Sequence, residues 1–274
     1  FSYKYKMGCG SSTGADGKIS MKKTKLSSID EVFDDAQGLI DDIYEIQDPI
    51  DDALDKLLYH TDLEKTVGAN AQHAAVGIVF GLAAEAKGTG VDDLFDVTIE
   101  EPYLTIKKPS AAGALSDAVD DLTDYIKGIV AAKDKIGPLA DKAKSFAEKA
   151  PDMPTKAKDD LGNAGDLGAM DKIRAVKNTA TNAKQLAKLP GMVAAFKDSI
   201  MDAVKSLQGA GKELNAKKGQ LTDIGKKCNE SKLSSAKDCY LAHGDKIDDG
   251  GDAKKKHAVQ QKKKKAKQAP KAKK

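Results

Sequence analysis

The feature that most constrains the fold is an apolar stripe that repeats at three- and four-residue steps between residues 193 and 228. Its members are Val193, Phe196, Ile200, Ala203, Leu207, Ala210, Leu214, Leu221, Ile224 and Cys228, with Lys217 as the polar exception. A repeat of this kind is typical of a long helix that packs along another helix. We call it the heptad seam. We expect it to pack within the chain, and keep as an alternative a homo-oligomer formed through it.

A second helical pattern begins near residue 28. Ser28 and Glu31 have the spacing of a capping box, and Asp48 followed by Pro49 indicates a restart of the helix. Residues 30–64 include thirteen acids and a single lysine. This acidic face is either a solvated surface or a docking surface for a basic partner, such as the lysine-rich tail of the chain.

Residues 66–84 carry no charged side chain. A membrane-spanning helix needs about 20 predominantly apolar residues, and this stretch also contains Asn70, Gln72 and His73. We therefore predict a buried central helix, in which Gly77 and Gly81 allow close packing and His73 is hydrogen-bonded in the core.

The period changes at residues 91–107, where alternating apolar residues predict a short β-hairpin or an extended connector. Helical spacing resumes from residue 110, with an interruption predicted at Gly137 and Pro138. A further helix is predicted with an apolar stripe formed by Met170, Ile173, Val176, Ala180, Ala183 and Leu186.

The composition agrees with helices. The chain has 39 Ala, no Trp and only 5% aromatic residues. Small side chains favour close-packed helices and make a thin core. We predict an all-α, elongated multi-helix bundle with long amphipathic helices, a short β-hairpin near 95–106 and disordered basic termini.

Charge is distributed unevenly along the chain. The net charge is +3, with +5 in residues 1–25 and +11 in residues 254–274, which leaves −13 for residues 26–253. An anionic surface would attract the two ends and repel the middle. Only one basic residue, Arg174, is Arg, so the lysines favour diffuse attraction over specific recognition of bases.

Near the start, the chain reads Met7-Gly8-Cys9-Gly10-Ser11-Ser12. If translation begins at Met7, Gly8 has the context for N-myristoylation, and Cys9 is a candidate for palmitoylation. Any residue ahead of Met7 would block the first modification. A single myristoyl chain binds membranes only marginally, and a second chain or a basic patch makes the binding stable.

These six residues resemble the start of doubly acylated signalling proteins, such as Src-type kinases and G-protein alpha subunits. The resemblance implies a lipid anchor at Gly8 and Cys9 and nothing about the rest of the chain. Lysines that would face an anionic membrane beside this anchor or in the tail are Lys18, Lys22, Lys23, Lys25, Lys254, Lys255, Lys256, Lys262, Lys263, Lys264 and Lys265.

The sequence contains no nucleophile elbow, phosphate-binding loop, dinucleotide fingerprint or metal-ligand spacing. Cys228 and Cys239 stand eleven residues apart without a CxxC or a His pair. Because acylation implies the reducing cytosol, we expect them to be free thiols. We expect no enzymatic activity, no cofactor and no metal site.

The sequence thus predicts five successive segments. These are a flexible anchor (1–27), an acidic helical hairpin (28–90), a hairpin or connector (91–109), a main bundle (110–240) and a disordered tail (241–274). The predicted function is a lipid-anchored structural or scaffold protein, peripheral on the cytoplasmic face of a membrane, with anionic lipids as its partner. The alternatives are a helical adaptor for an unknown protein partner, or a nucleic-acid-binding protein, which the acidic middle disfavours.

Overall fold

Long α-helices dominate the structure, a computed structural model that describes residues 19–87, 90–98, 100–107, 115–245 and 247. The elements are α1 (Ser27–His60), α2 (Ala71–Glu85), β1 (Phe95–Val97), β2 (Leu104–Ile106), α3 (Ser116–Lys149), α4 (Met153–Asn163), α5 (Ala169–Leu186), α6 (Leu189–Lys217), α7 (Leu221–Glu230) and α8 (Ala236–His243). The predicted all-α multi-helix bundle is confirmed. So is the hairpin, whose strands pair antiparallel with Phe95 opposite Ile106.

Two prolines that were predicted to interrupt helices lie inside them. Pro49 lies in the interior of α1, and Pro138 in the interior of α3. A proline removes one backbone hydrogen bond and disfavours a helix by about 3 kcal/mol. The apolar stripe continues on both sides of each proline, as with Ile43 and Ile50 in α1, which are buried. Burial of the continued stripe offsets the local cost, so both helices continue.

The chain forms two compact units, each assembled from non-consecutive stretches. One comprises the described residues within 1–55, 99–102 and 121–207, and the other comprises the described residues within 56–98, 103–120 and 208–274. The segments predicted from the sequence follow one another along the chain, whereas each unit combines stretches from several of these segments. In the first unit, α4 packs against α5.

In the second unit, α2 is the buried helix against which α7 and α8 pack. Residues 73–84 of α2 are all buried, as the uncharged sequence predicts. The cap at its start joins Asn70 and His73. The Asn70 side chain accepts from the backbone amide of His73, and His73 Nδ1 accepts from the backbone amide of Asn70 at 3.2 Å. The predicted hydrogen-bonded core histidine is therefore also a capping residue.

The heptad seam is shared between α6 and α7, because residues 218–220 form a 3-10 turn. The seam side chains are buried, except that Ala203 is half-buried and Val204 beside it is buried instead. This is the packing expected of the intramolecular alternative. A homo-oligomer through the same seam would first have to unpack it.

Two glycines, one in α2 and one in α7, allow α7 and α8 to pack closely against α2. A Cβ atom added at Gly77 would lie 2.7 Å from the carbonyl oxygen of Ala236 in α8. One added at Gly225 in α7 would collide with the carbonyl oxygen of Ala83 in α2. Because both obstacles are backbone atoms, they cannot move aside as a side chain could.

We therefore expect Gly77→Ala to lower the free energy of unfolding by about 1–3 kcal/mol through overpacking. The matched control is Gly38→Ala in the exposed part of α1, where nothing lies within 4 Å of the added Cβ. This control should raise the free energy of unfolding by about 0.5–1 kcal/mol, since Ala favours a helix more than Gly does. Urea denaturation measures both, and equal stabilisation by the two substitutions would contradict the packing of α8 on α2.

Candidate functional site

Residues 19–26, which we call the N-terminal strap, lie against α1 and α5. Asn182 of α5 is completely buried, and its amide holds the strap at Lys22. Asn182 Oδ1 accepts from the Lys22 backbone amide at 3.0 Å, and Asn182 Nδ2 donates to the Lys22 carbonyl at 2.7 Å. The Asn182 side chain therefore pairs with the backbone of Lys22 as an adjacent β-strand would, and so satisfies the hydrogen-bonding groups of this extended segment.

Further bonds hold the strap on both sides of Lys22. Asn178 Nδ2 donates to the carbonyl of Lys23 at 2.7 Å, and Gln37 Oε1 accepts from the Met21 amide at 2.8 Å. Ile19, Thr24 and Leu26 are buried. The sequence predicts a flexible anchor over residues 1–27, whereas residues 19–26 are held by polar side chains of α1 and α5 that pair with their backbone.

The strap also changes how α1 begins. The helix starts one residue before the predicted capping box, and the Ser28 hydroxyl donates to Asp160 at 2.5 Å. The carboxylate of Asp30 accepts from the backbone amides of Thr24 at 2.7 Å and Lys25 at 3.0 Å. A carboxylate in the first turn is favourable because of the helix dipole, and here it also fixes the end of the strap.

Three of the predicted membrane-binding lysines lie on the strap, and their side chains are exposed. Lys23 Nζ lies 2.6 Å from Asp34 Oδ1, and this hydrogen bond raises the pKa of Lys23. Lys25 Nζ lies 2.9 Å from Asp171 Oδ2. Exposed ion pairs contribute little to stability, but each carboxylate offsets a positive charge that was predicted to face a membrane. Lys22 makes its described bonds through its backbone.

The other predicted site residues lie outside the described residues. These are Gly8, Cys9, Lys18, Lys254, Lys255, Lys256, Lys262, Lys263, Lys264 and Lys265.

The orientation of α5 differs from the orientation that its apolar spacing predicts. The stripe was expected to form the core, and Ala183 and Leu186 at its end are buried, yet Met170 is 70% exposed, Ile173 65% and Val176 44%. The buried side instead includes Thr179, Asn182 and Gln185 together with small and apolar residues. The helix is turned so that Asn178 and Asn182 meet the strap, and the large apolar residues of its first half face solvent. We call Met170, Ile173 and Val176 the outer face of α5.

The helix that carries this outer face has more cations than acids. The basic residues of α5 are Lys172, Arg174, Lys177 and Lys184, and its one acid is Asp171. Asp171 is paired with Lys25 and lies 3.8 Å from Arg174. An exposed apolar stripe bordered by cations is typical of a helix that lies in the interface of a membrane. The sequence signal was present, but the spacing alone could not tell which side of the helix would be buried.

A buried ionic cluster in the second unit accounts for Lys217, the polar exception in the heptad seam. Glu213 is 5% exposed and accepts from Lys217 Nζ at 3.1 Å and from the Asp245 amide at 2.8 Å. Gln72 Nε2 donates to the same carboxylate at 3.2 Å. Burial lowers the pKa of Lys217, but its bonds to Asp245 and Glu213 leave that pKa above the ordinary value. The cluster is satisfied by its own members and joins α2, α6 and the end of α8.

His73 lies beside this cluster, with its ring 5.2 Å from that of Tyr240 in an edge-on arrangement. Burial lowers the pKa of His73 in spite of the opposing effect of Glu213. A neutral ring that accepts at Nδ1 carries its proton on Nε2, so the geometry is that of a structural histidine.

Among the described residues, no group of three or more His, Cys, Asp or Glu side chains lies close enough to hold a metal ion. Within that same part of the chain, every helix is too short or too polar to cross a membrane. Comparisons with models of protein families, with curated proteins and with solved structures find no match to this chain.

The clamp on the strap can be tested with Asn182→Ala. This change leaves two backbone groups of Lys22 without their partner, which costs about 1–3 kcal/mol when such groups are buried. We expect faster amide hydrogen exchange across residues 19–26 and faster trypsin cleavage after Lys22, Lys23 and Lys25. Asn215→Ala, at an exposed position of α6, is the control and should change neither rate. Unchanged exchange in the Asn182 variant would show that the strap does not depend on this amide.

Proposed function

We propose that this protein is a non-enzymatic structural protein that lies peripherally on an anionic, cytosol-facing membrane surface. Acylation at Gly8 and Cys9, the lysine-rich tail and the outer face of α5 would hold it there. The observation that carries the proposal is the outer face itself. Its three apolar side chains are exposed, and the one acid of the helix is already paired with a lysine of the strap.

Each of these contacts contributes only a small free energy of membrane binding, so stable binding would need several of them together. Full burial of a large apolar side chain contributes roughly 1.5–3 kcal/mol, and a basic residue at an anionic leaflet about 1 kcal/mol. One myristoyl chain alone binds reversibly with an association constant of about 10⁴ M⁻¹. The outer face, the cations of α5 and the tail lysines together would convert this marginal attachment into a stable one.

The strap limits how far an acyl chain can be from α5. Gly8 precedes Ile19, the first described residue of the strap, by eleven positions. An extended chain of that length reaches at most about 40 Å. A lipid on Gly8 would therefore enter the membrane within about 40 Å of the strap, and its insertion would raise the local concentration of the outer face at the same surface.

Charge also favours one orientation. Residues 26–253 have a net charge of −13, whereas α5 contributes four cations and one acid. An anionic surface repels an acidic body and attracts a basic patch on it. The α5 side would thus be the side presented to lipid.

A protein-binding adaptor is the second candidate, because the first unit has an open groove between α1 and α3. The groove encloses about 530 Å³ and is lined by apolar residues including Ile46, Pro49, Ile50, Pro138 and Leu139. Three acids, Asp42, Glu45 and Asp134, and two lysines, Lys135 and Lys142, also line it, so a segment with apolar and mixed polar side chains would suit it. This candidate needs no lipid, and vesicle binding therefore separates the two.

The direct test is Ile173→Glu, measured by co-sedimentation of the full chain with phosphatidylserine vesicles. Loss of one apolar contact and gain of a negative charge should weaken binding by about tenfold to a hundredfold. The matched control is Leu241→Glu in α8, where the replaced side chain is 56% exposed. The control should bind nearly as the unaltered protein does. Equal losses of vesicle binding in both variants would mean that the added charge alone decides binding. Unchanged binding of both variants would mean that α5 does not contact the membrane.

Deletion of the lysine-rich tail gives a second, independent test in the same vesicle co-sedimentation experiment. Removing residues 254–274, which carry +11, should weaken binding to phosphatidylserine vesicles. Added salt should do the same, because screening acts within about 8 Å at physiological ionic strength. Phosphatidylcholine vesicles should bind weakly at any salt concentration. Equal binding to the two lipids would contradict an anionic partner.

A further inference from the structure

The groove between α1 and α3 lies within the first unit and combines an apolar floor with charged side chains. Ile50 and Leu139 are buried at its base, Ile46 is half-buried, and the rings of Pro49 and Pro138 are exposed. The groove therefore presents apolar surface that a further segment of chain could cover.

The two prolines that lie inside the long helices α1 and α3 both line this groove. A proline has no N–H, so the carbonyl oxygen four residues earlier loses the donor of a regular helix. These carbonyls belong to Glu45 and Asp134, whose side chains line the same groove. Each of the two residues can therefore offer a backbone carbonyl and a carboxylate to a donor from outside the helix. A lysine ammonium suits such a place, because it has three donors and no acceptor.

An acidic ridge runs along α1 beside the groove. Asp41, Glu45, Asp48 and Asp52 are exposed and follow one another at three- and four-residue steps, so they lie along one side of the helix. Like charges at this spacing disfavour a helix. Cations placed along the ridge would relieve that repulsion.

The lysines of the groove offset its negative charge in part. Lys135 and Lys142 line the groove together with Asp42, Glu45 and Asp134. Lys142 Nζ lies 3.9 Å from Asp42 Oδ2, and both side chains are exposed, so this pair contributes little to stability. With the acidic ridge included, carboxylates outnumber ammonium groups. Charge complementarity therefore favours a basic occupant over an acidic one.

The lysine-rich tail has the composition and the spacing that this groove requires. Residues 254–274 carry eleven lysines and no acid, and a short uncharged stretch that includes Val259 separates two blocks of lysines. The last lysine of the first block, Lys256, and the first of the second, Lys262, are about 20 Å apart in an extended chain. The acidic ridge is about 17 Å long. Val259 would thus lie over the apolar floor, with lysines near both ends of the ridge.

The tail is also long enough to act on its own chain. Residues 248–274 follow Ile247, the last described residue, and span at most about 90 Å when fully extended. That length exceeds the length of α1, which has 34 residues and is about 51 Å long. Because the tail is tethered, its effective concentration exceeds that of the tail of another molecule.

We propose that the groove between α1 and α3 binds the lysine-rich tail of its own chain, with Val259 over the floor and lysines against Glu45, Asp134 and the acidic ridge. The contact itself does not depend on lipid. The proposed function assigns the same lysines to an anionic membrane, so groove and membrane would compete for the tail. This competition rests on the proposed function, whereas the contact with the groove does not.

The test uses the full chain with the photo-reactive amino acid benzoylphenylalanine in place of Val259. After irradiation at low ionic strength, mass spectrometry identifies the cross-linked peptides. We expect cross-links mainly to residues 42–50 and 128–142, and about fivefold fewer at high salt, because salt screens the attraction of the lysines. Cross-links spread evenly over the exposed acids of the chain, or none at all, would overturn the proposal.

An equal mixture of isotope-labelled and unlabelled chains shows which molecule supplies the tail. We expect each cross-link to join peptides of the same isotopic composition, as it must when the tail binds its own chain. Cross-links found only between labelled and unlabelled chains would overturn the proposal in favour of a second copy as the occupant.

Two pairs of matched variants separate the groove from general attraction to acids. Ala131 is exposed in the groove, so Ala131→Phe fills it without a change of charge. This variant should lower cross-linking to the groove about tenfold, whereas Ala140→Phe, at an exposed position of α3 away from the groove, should not. Glu45→Lys should lower it as well, with Asp198→Lys at an exposed position of α6 as the control of equal charge. Equal cross-linking in the two phenylalanine variants would overturn the assignment to the groove.

The competition with a membrane has its own measurement. Because Ala131→Phe would release the tail, it should bind phosphatidylserine vesicles several-fold more tightly than Ala140→Phe does. A variant that has lost the cross-link and yet binds vesicles no better would overturn the competition and the tail as a lipid contact. A missing cross-link in the unaltered groove would instead overturn the contact between tail and groove, so the two failures are distinguishable.

Discussion

The arrangement of the first unit depends on the hydrogen bonds between an extended segment and a helix. The strap has no neighbouring strand in the described part of the chain, so its backbone needs other partners, and the amides of Asn178 and Asn182 supply them. Meeting the strap requires the polar side of α5 to face inward. Met170, Ile173 and Val176 are consequently turned outward. One set of hydrogen bonds thus positions the N-terminal segment and also exposes the surface that we assign to a membrane.

Much of the fold could be predicted because the strongest sequence patterns are local. The apolar stripes of α1, α3 and α6 and the alternation at residues 95–106 determine helix and hairpin without knowledge of distant residues. The continuation of α1 through Pro49 could not be predicted, because it depends on burial that offsets a local cost. The strap and the orientation of α5 could not be predicted either, since Lys22 and Asn182 are 160 residues apart. For the candidate site, the sequence predicted lysines beside the anchor that would face a membrane, but not that Asp34 and Asp171 pair with two of them.

Electrostatics connects the fold with the proposed function. Apart from Arg174 every basic residue is Lys, and the acids are concentrated in the middle of the sequence. Such a chain suits attraction to a diffuse anionic surface better than recognition of a particular phosphate. In the proposed function, the outer face of α5 would add apolar area to this attraction.

The central claim is that the outer face of α5 enters the lipid interface, and one measurement tests it directly. A fluorophore is attached to Ile173→Cys in the full chain with Cys9→Ser, and the label is exposed to nitroxide-bearing lipid or to aqueous iodide. On phosphatidylserine vesicles that demonstrably bind the protein, lipid nitroxide should quench the label at 173, and iodide should lose access to it. The same label at Leu241→Cys should remain open to iodide. A label at 173 that stays fully accessible to iodide on bound protein would contradict the account.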